Sequence, residues 1–158
     1  MEIHIAIDRE SLKKVKEYVA DERFKKALQN TLISAGLQLE RDIVENIVER
    51  ATNTGALAQS WQTQARAYDT VVVFSNLLYA PFVEYGTRPH RAPIDPLRKW
   101  VHLKLNKSGR ELESTAWAIW RKIATKGTEE KRYVRDATDR FDLNRYISEL
   151  VEAWENAR

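Results

Sequence analysis

The chain has 158 residues, 43% of them apolar and 31% charged, with 26 Lys and Arg against 23 Asp and Glu and no cysteine. That length and composition fit one folded domain and exclude disulfides, thiolate metal sites and a cysteine nucleophile. The start, MEIHIAIDRE, lacks a basic and apolar leader, and no apolar run approaches the roughly 18 residues of a membrane span, so a soluble, cytosolically made protein is expected.

The charge is segregated. Residues 86–135 hold 13 Lys and Arg against 5 Asp and Glu, residues 1–85 hold 10 against 12, and residues 136–158 hold 3 against 6. A basic block between mildly acidic flanks attracts nucleic acid or an acidic protein surface, and it also fits a solvated helical face.

Glu2 to Asp8 alternates, with Ile3, Ile5 and Ile7 on one side, which predicts a short half-buried strand. Asp8 or Ser11 is placed to cap a short helix ending near Val19. From Asp21 to about Arg50, Phe24, Leu28, Leu32, Ala35, Leu39, Ile43 and Ile47 recur at three- and four-residue steps, one face of a long amphipathic helix. Thr52 to Gly55 ends it with a turn. Ser60 to Ala67 and Val71 to Ser75 pair as a hairpin about Tyr68-Asp69-Thr70, and the run VVVF reads as a central, well-covered strand.

After Pro89 and Pro93, Asp95-Pro96 reads as an N-cap and first helical residue, with Leu97, Trp100, Val101 and Leu105 forming an apolar stripe. Lys107 to Gly109 is a loop. Glu111 to Lys126 is a second helix carrying Leu112, Ala116, Ile119, Trp120 and Ile123, with Gly127 at its C′ position. A short strand is expected around Tyr133-Val134, and a closing helix from Asp142 or Asn144 with Tyr146, Ile147, Leu150, Val151 and Trp154 on one side. The sum is a single α+β domain over 1–158: a small antiparallel sheet on one long helix, a helical insert over about 94–127, and a C-terminal helix.

His4, His90 and His102 lack metal-ligand spacing, only five glycines are present, and no nucleophile elbow, phosphate loop or paired carboxylates occur. No metal, no cofactor and no enzymatic activity are therefore expected; a Glu84–His90 base pair has no supporting pattern. The densest chemistry lies in YAPFVEYGTRPHRAP, Tyr79 to Pro93. Glu84 stands near Arg88 and Arg91, where a carboxylate–guanidinium fork would shape a glycine-hinged loop at Gly86, with Thr87 bonding nearby backbone. Tyr79 and Tyr85 offer rigid contact area of the interface kind, joined by His90; Phe82 and Val83 read as core. Trp100 and Trp120 also read as core, whereas Trp117 falls between helix faces as an exposed anchor. Arg98, Lys99, Lys104, Lys107, Arg110 and Lys122, interleaved with these aromatics, are the DNA-facing candidates, since such mixtures bind single strands by stacking.

Four segments in order, TGALAQSW (54–61), YAPFVEYGT (79–87), AIWRKIATKGT (118–128) and KRYVRDA (131–137), resemble the tail-completion or neck proteins of long-tailed double-stranded DNA phages, including the minor tail protein Z group. That family runs from a G-x-L-x-x-S segment through a strand to YA-x-x-VE-x-GT, matched here by Tyr79, Ala80, Val83, Glu84, Gly86 and Thr87. Many members carry a Pro-Phe pair where this chain has Glu129-Glu130. The resemblance, over about residues 20–155, implies a virion structural protein of a phage or prophage that forms a homo-oligomeric ring, a hexamer by analogy, at the head–tail junction. Its implied partners are itself, connector and tail proteins, and DNA in the channel; its place is the virion, after assembly in host cytoplasm. The competing expectation is a nucleic-acid-binding module built on residues 86–135, whose affinity falls steeply with salt.

Overall fold

The computed structural model describes residues 1–7, 11, 13, 15–51 and 55–157. The expected turn at 52–54 lies outside the described residues, as do residues 8–10, 12 and 14 of the expected first helix. Three strands, β1 (Glu2–Ala6), β2 (Trp61–Ala67) and β3 (Thr70–Ser75), form an antiparallel sheet in the order β1-β3-β2. The VVVF run is thus central, and Val71, Val72 and Val73 are fully buried. A two-residue turn at Tyr68-Asp69 joins β2 to β3, and the register slips by one residue between Ala65 and Ala67. Val72 faces away from the core; His4 and Gln64 flank it in register, and Arg66 reaches across to Glu2.

One face of the sheet is covered by α1 (Glu22–Ala51), a 30-residue helix. All seven apolar residues of its expected stripe are buried, because their spacing keeps them on one side through about eight turns. Gly36 and Asn46 share that side. At Gly36 the helix crosses the sheet so closely that a Cβ would lie 2.8 Å from Thr63 Cγ2 and 2.9 Å from Val71 Cγ1. The first turn is ordered by Asp21, whose carboxylate accepts from the Arg23 amide at 2.8 Å.

The core continues through α2 (Ala56–Gln59), α3 (Ala80–Tyr85), α6 (Arg135–Thr138) and α7 (Leu143–Asn156). Asp142 caps α7 by accepting from the Arg145 amide, and Ile147 is its fully buried anchor. Trp154 meets Phe24 edge-on, with ring centroids 5.1 Å apart. Ser11 is buried and its hydroxyl donates to Asn144 Oδ1 at 2.6 Å, tying the N-terminal segment to α7.

The insert is a hairpin of α4 (Ile94–Leu105) and α5 (Gly109–Lys126), which pack on each other around Val101 and Ala116. Its first turn corrects the expected cap. Helix α4 begins at Ile94 with Pro93 preceding it, and the Asp95 carboxylate accepts from Arg98 instead of capping. The strand expected at Tyr133-Val134 is also absent. These residues form a turn into α6: the Tyr133 carbonyl accepts from Asn46 of α1, the Val134 amide donates to Glu84 of α3, and the Val134 carbonyl accepts from the Thr138 amide.

Filling the helix–sheet crossing should be costly. Gly36→Leu is expected to lower unfolding free energy by about 1–3 kcal/mol through overpacking, read by urea titration; unchanged stability would mean that α1 does not cross the sheet so closely.

Candidate interaction surface

The site is organised by α3. Pro81 sits in its first turn, where a missing amide costs nothing. Ala80 and Glu84, four residues apart, face inward and are buried. Leu78, Phe82 and Tyr85 fall on the opposite face at 92%, 60% and 57% exposure, with Tyr79 beside them. Phe82 is therefore not core. A six-residue helix has room to bury only one side, and here the small Ala80 takes it, letting the Tyr133 hydroxyl donate to the Ala80 carbonyl at 2.9 Å. Burial, followed by the neighbouring Glu84 charge, pushes the Tyr133 phenol well above its ordinary range.

Glu84 has a different partner from the expected arginine fork. Its carboxylate accepts from the backbone amides of Val134 at 2.8 Å and Arg135 at 3.0 Å, the first turn of α6. Unsatisfied amides at a helix start favour an acceptor, and an anion most of all. Arg88 and Arg91 are instead exposed, with no ion pair among the described residues. The backbone of α3 also receives this segment: the Lys131 amide donates to the Val83 and Glu84 carbonyls, and the Arg132 amide to Glu84.

Immediately after α3, Thr87 forms an isolated antiparallel bridge with Thr128, each amide donating to the other's carbonyl at 3.1 Å. The two hydroxyls lie 3.0 Å apart. Both threonines follow a glycine of positive φ, Gly86 at 69° and Gly127 at 76°. A Cβ on Gly86 would fall 2.3 Å from Thr128 O, and one on Gly127 1.9 Å from Thr87 O. The repeated Gly-Thr pairs thus close the base of the insert like a clasp, joining its entry to its exit. The Gly127 half of this joint is legible in the sequence only as a helix stop, although the repeated dipeptide is visible there.

Beside the clasp, Phe82, Thr87, His90, Ile123 and Lys131 line a shallow, mainly apolar groove. His90 is held there through Nδ1, which donates to the Arg88 carbonyl at 3.0 Å. The guanidinium of Arg135 lies over the Tyr85 ring, 5.8 Å from its centroid. Trp117 is 47% exposed on α5 and meets Trp120 edge-on at 5.4 Å, while Trp120 donates to the Ala92 carbonyl at 2.7 Å. Trp100 and Trp120 are half-buried, not fully enclosed.

The six cations expected to face DNA do not form one free surface. Arg98 is fastened to Glu113 and Asp95, and the Glu113 contact above all raises its pKa. Lys107 pairs with Glu111, and Lys122 with Glu129. Lys99, Lys104 and Arg110 remain exposed without an ion pair among the described residues. No group of three or more His, Asp and Glu suited to a metal occurs among the described residues, and no helix there is long and apolar enough to cross a membrane.

Comparison with known protein families, with curated proteins and with solved structures finds no match to this chain.

Substitutions at two positions test the geometry. Gly127→Ala is expected to destabilise by about 1–3 kcal/mol through backbone strain and loss of the clasp; an unchanged melting temperature would contradict it. Glu84→Ala strands one buried and one partly buried amide and should cost about 1–3 kcal/mol, with Glu84→Gln losing less because an acceptor oxygen remains. Equal losses in denaturant titrations would show that the carboxyl oxygen is not the cap.

Proposed function

We propose that the chain is a structural virion subunit of a tailed phage or prophage, without enzymatic activity, that forms a ring at the head–tail junction and completes or attaches the tail. The observation that carries this reading is the exposed aromatic face of α3, with Leu78, Tyr79, Phe82 and Tyr85 presented to solvent on a short helix fastened from behind. Contiguous exposed apolar groups mark sites of protein contact, and rigid aromatics lose little entropy when covered.

The place where the four resemblance segments meet adds support. Trp61, from the first, packs edge-on against Tyr133, from the last, at 6.1 Å. Glu84, from the second, caps Val134 and Arg135; Thr87 clasps Thr128, which ends the third. Residues from four separated stretches therefore build one support behind the α3 face. Segregated charge suits contacts between unlike surfaces of identical subunits, the arrangement that closes into rings. DNA contact through Lys99, Lys104 and Arg110 is a secondary role in this reading.

Native mass spectrometry and a tail-completion assay with purified tail tubes and head connectors test it. The wild-type chain should form a closed oligomer and bind tubes or connectors. Phe82→Glu and Arg88→Glu should fold with unchanged circular dichroism yet assemble poorly. A strict monomer that binds neither component, or normal assembly by both variants, would contradict the proposal.

A further inference from the structure

The helical hairpin carries more positive charge than it neutralises. Across residues 94–126 eight Lys and Arg stand against three Asp and Glu. All three carboxylates are spent inside the hairpin, Asp95 and Glu113 on Arg98 and Glu111 on Lys107. Lys122 is held from outside it by Glu129. Lys99, Lys104, Arg110, Arg121 and Lys126 are left exposed, with no ion pair among the described residues.

These five cations do not share one face. Lys99 and Lys104 lie about 140° apart around α4, and Lys126 lies the same angle from Arg121 around α5. Arg110, Ser114, Trp117 and Arg121 follow one another at steps of four, three and four residues, so they fall within an arc of about 60° and form a single exposed ridge on α5. No carboxylate stands on it, and the nearest on the same helix, Glu111 and Glu113, are already held. Trp117 is the ridge's one large apolar side chain, 47% exposed, so the ridge is not an apolar docking patch. Its ring is backed edge-on by Trp120, which is itself pinned to the Ala92 carbonyl.

We propose that this ridge binds single-stranded nucleic acid, with Trp117 stacking on a base while Arg110 and Arg121 hold phosphates on either side of it. The guanidinium fork matches phosphate, and both arginines are free to offer it. An isolated, rigidly backed indole between two cations gives an unpaired base a plane to stack on. A duplex keeps its bases stacked within itself, and an acidic protein surface answers the charges while leaving the indole without a counterpart. Arg110 to Arg121 spans about 16 Å of helix axis, room for a few nucleotides. This is a base-stacking site, beyond the charge contact that Lys99, Lys104 and Arg110 would make with any DNA, and it shares no residue with the aromatic face of α3.

Fluorescence anisotropy of labelled oligothymidylate, titrated with the free chain over a salt series, tests this. Trp117→Ala should weaken binding about tenfold, the low end of what one stacked base contributes, and Trp117→Phe should recover most of it. Arg110→Ala and Arg121→Ala should each flatten the slope of log affinity against log salt by about 0.7, whereas Lys126→Ala, an equal loss of charge off the ridge, should leave the slope unchanged. All four positions are exposed, and melting temperatures check that the variants fold. Binding should also quench tryptophan fluorescence, a signal lost in Trp117→Phe. No binding at low salt, equal losses from Lys126→Ala and Arg121→Ala, or tighter binding of a duplex of the same length would overturn the proposal. So would polyglutamate competing as well as oligothymidylate, with Trp117→Ala unaffected, which would mark an acidic protein as the occupant. Binding is read on the free chain and tail completion on assembled particles, so either reading can fail without the other.

Discussion

The architecture turns on a clasp of two peptide bonds. Thr87 and Thr128 exchange amide-to-carbonyl hydrogen bonds only because Gly86 and Gly127 hold left-handed backbone angles and present no Cβ to the opposing carbonyls. Two such bonds contribute about 0.5–1.5 kcal/mol each, too little to position 33 residues of hairpin by themselves. They succeed because the chain on either side is already held. Glu84, one turn before the clasp, binds the start of α6; Lys131 and Arg132, just after it, bind the end of α3. The clasp thereby fixes three things together: where the insert leaves the body, which face α3 shows to solvent, and the groove between them.

Much of this fold could be read from spacing. The α1 stripe, the central VVVF strand and the hairpin turn are local or periodic features, and each is where the pattern places it; of the two starts open to the closing helix, Asp142 and Asn144, the structure takes Asp142 as the cap. The misreadings are equally physical. Glu84 has two arginines within seven residues, yet its partners are amides 50 and 51 residues away, and no local pattern encodes that meeting. Phe82 in a short apolar run resembles core until the helix is seen to bury Ala80 and Glu84 instead. Tyr133-Val134 has strand composition, but Asn46 donates to the Tyr133 carbonyl, Glu84 accepts from the Val134 amide and the Val134 carbonyl is taken by the first turn of α6. Within the basic block Arg98 is held by Asp95 in its own helix and also by Glu113, 15 residues on, a pairing across the helical hairpin that local spacing does not give.

On the proposed reading, the surfaces that remain serve a subunit and not a catalyst. The exposed aromatics of α3 are rigidly backed, and the insert is closed at its base. Buried polar groups are spent on holding the backbone: the Glu84 carboxylate on α6 and Asn46 on the Tyr133 carbonyl. Asp136 is held by Arg50, whose hydrogen bond above all keeps that carboxyl below the ordinary range. A head-to-tail assembly of such units joins surfaces that are preformed in each copy, so little ordering cost is deferred to assembly.

Amide hydrogen exchange across the free and assembled protein tests the central claim, a clasped body and insert that assemble as one unit. The Thr87 and Thr128 amides should exchange as slowly in the free chain as those in the middle of α1, and assembly should add protection on α3 without altering the clasp. Exchange of those two amides at loop rates in the free chain, with protection appearing only on assembly, would contradict it.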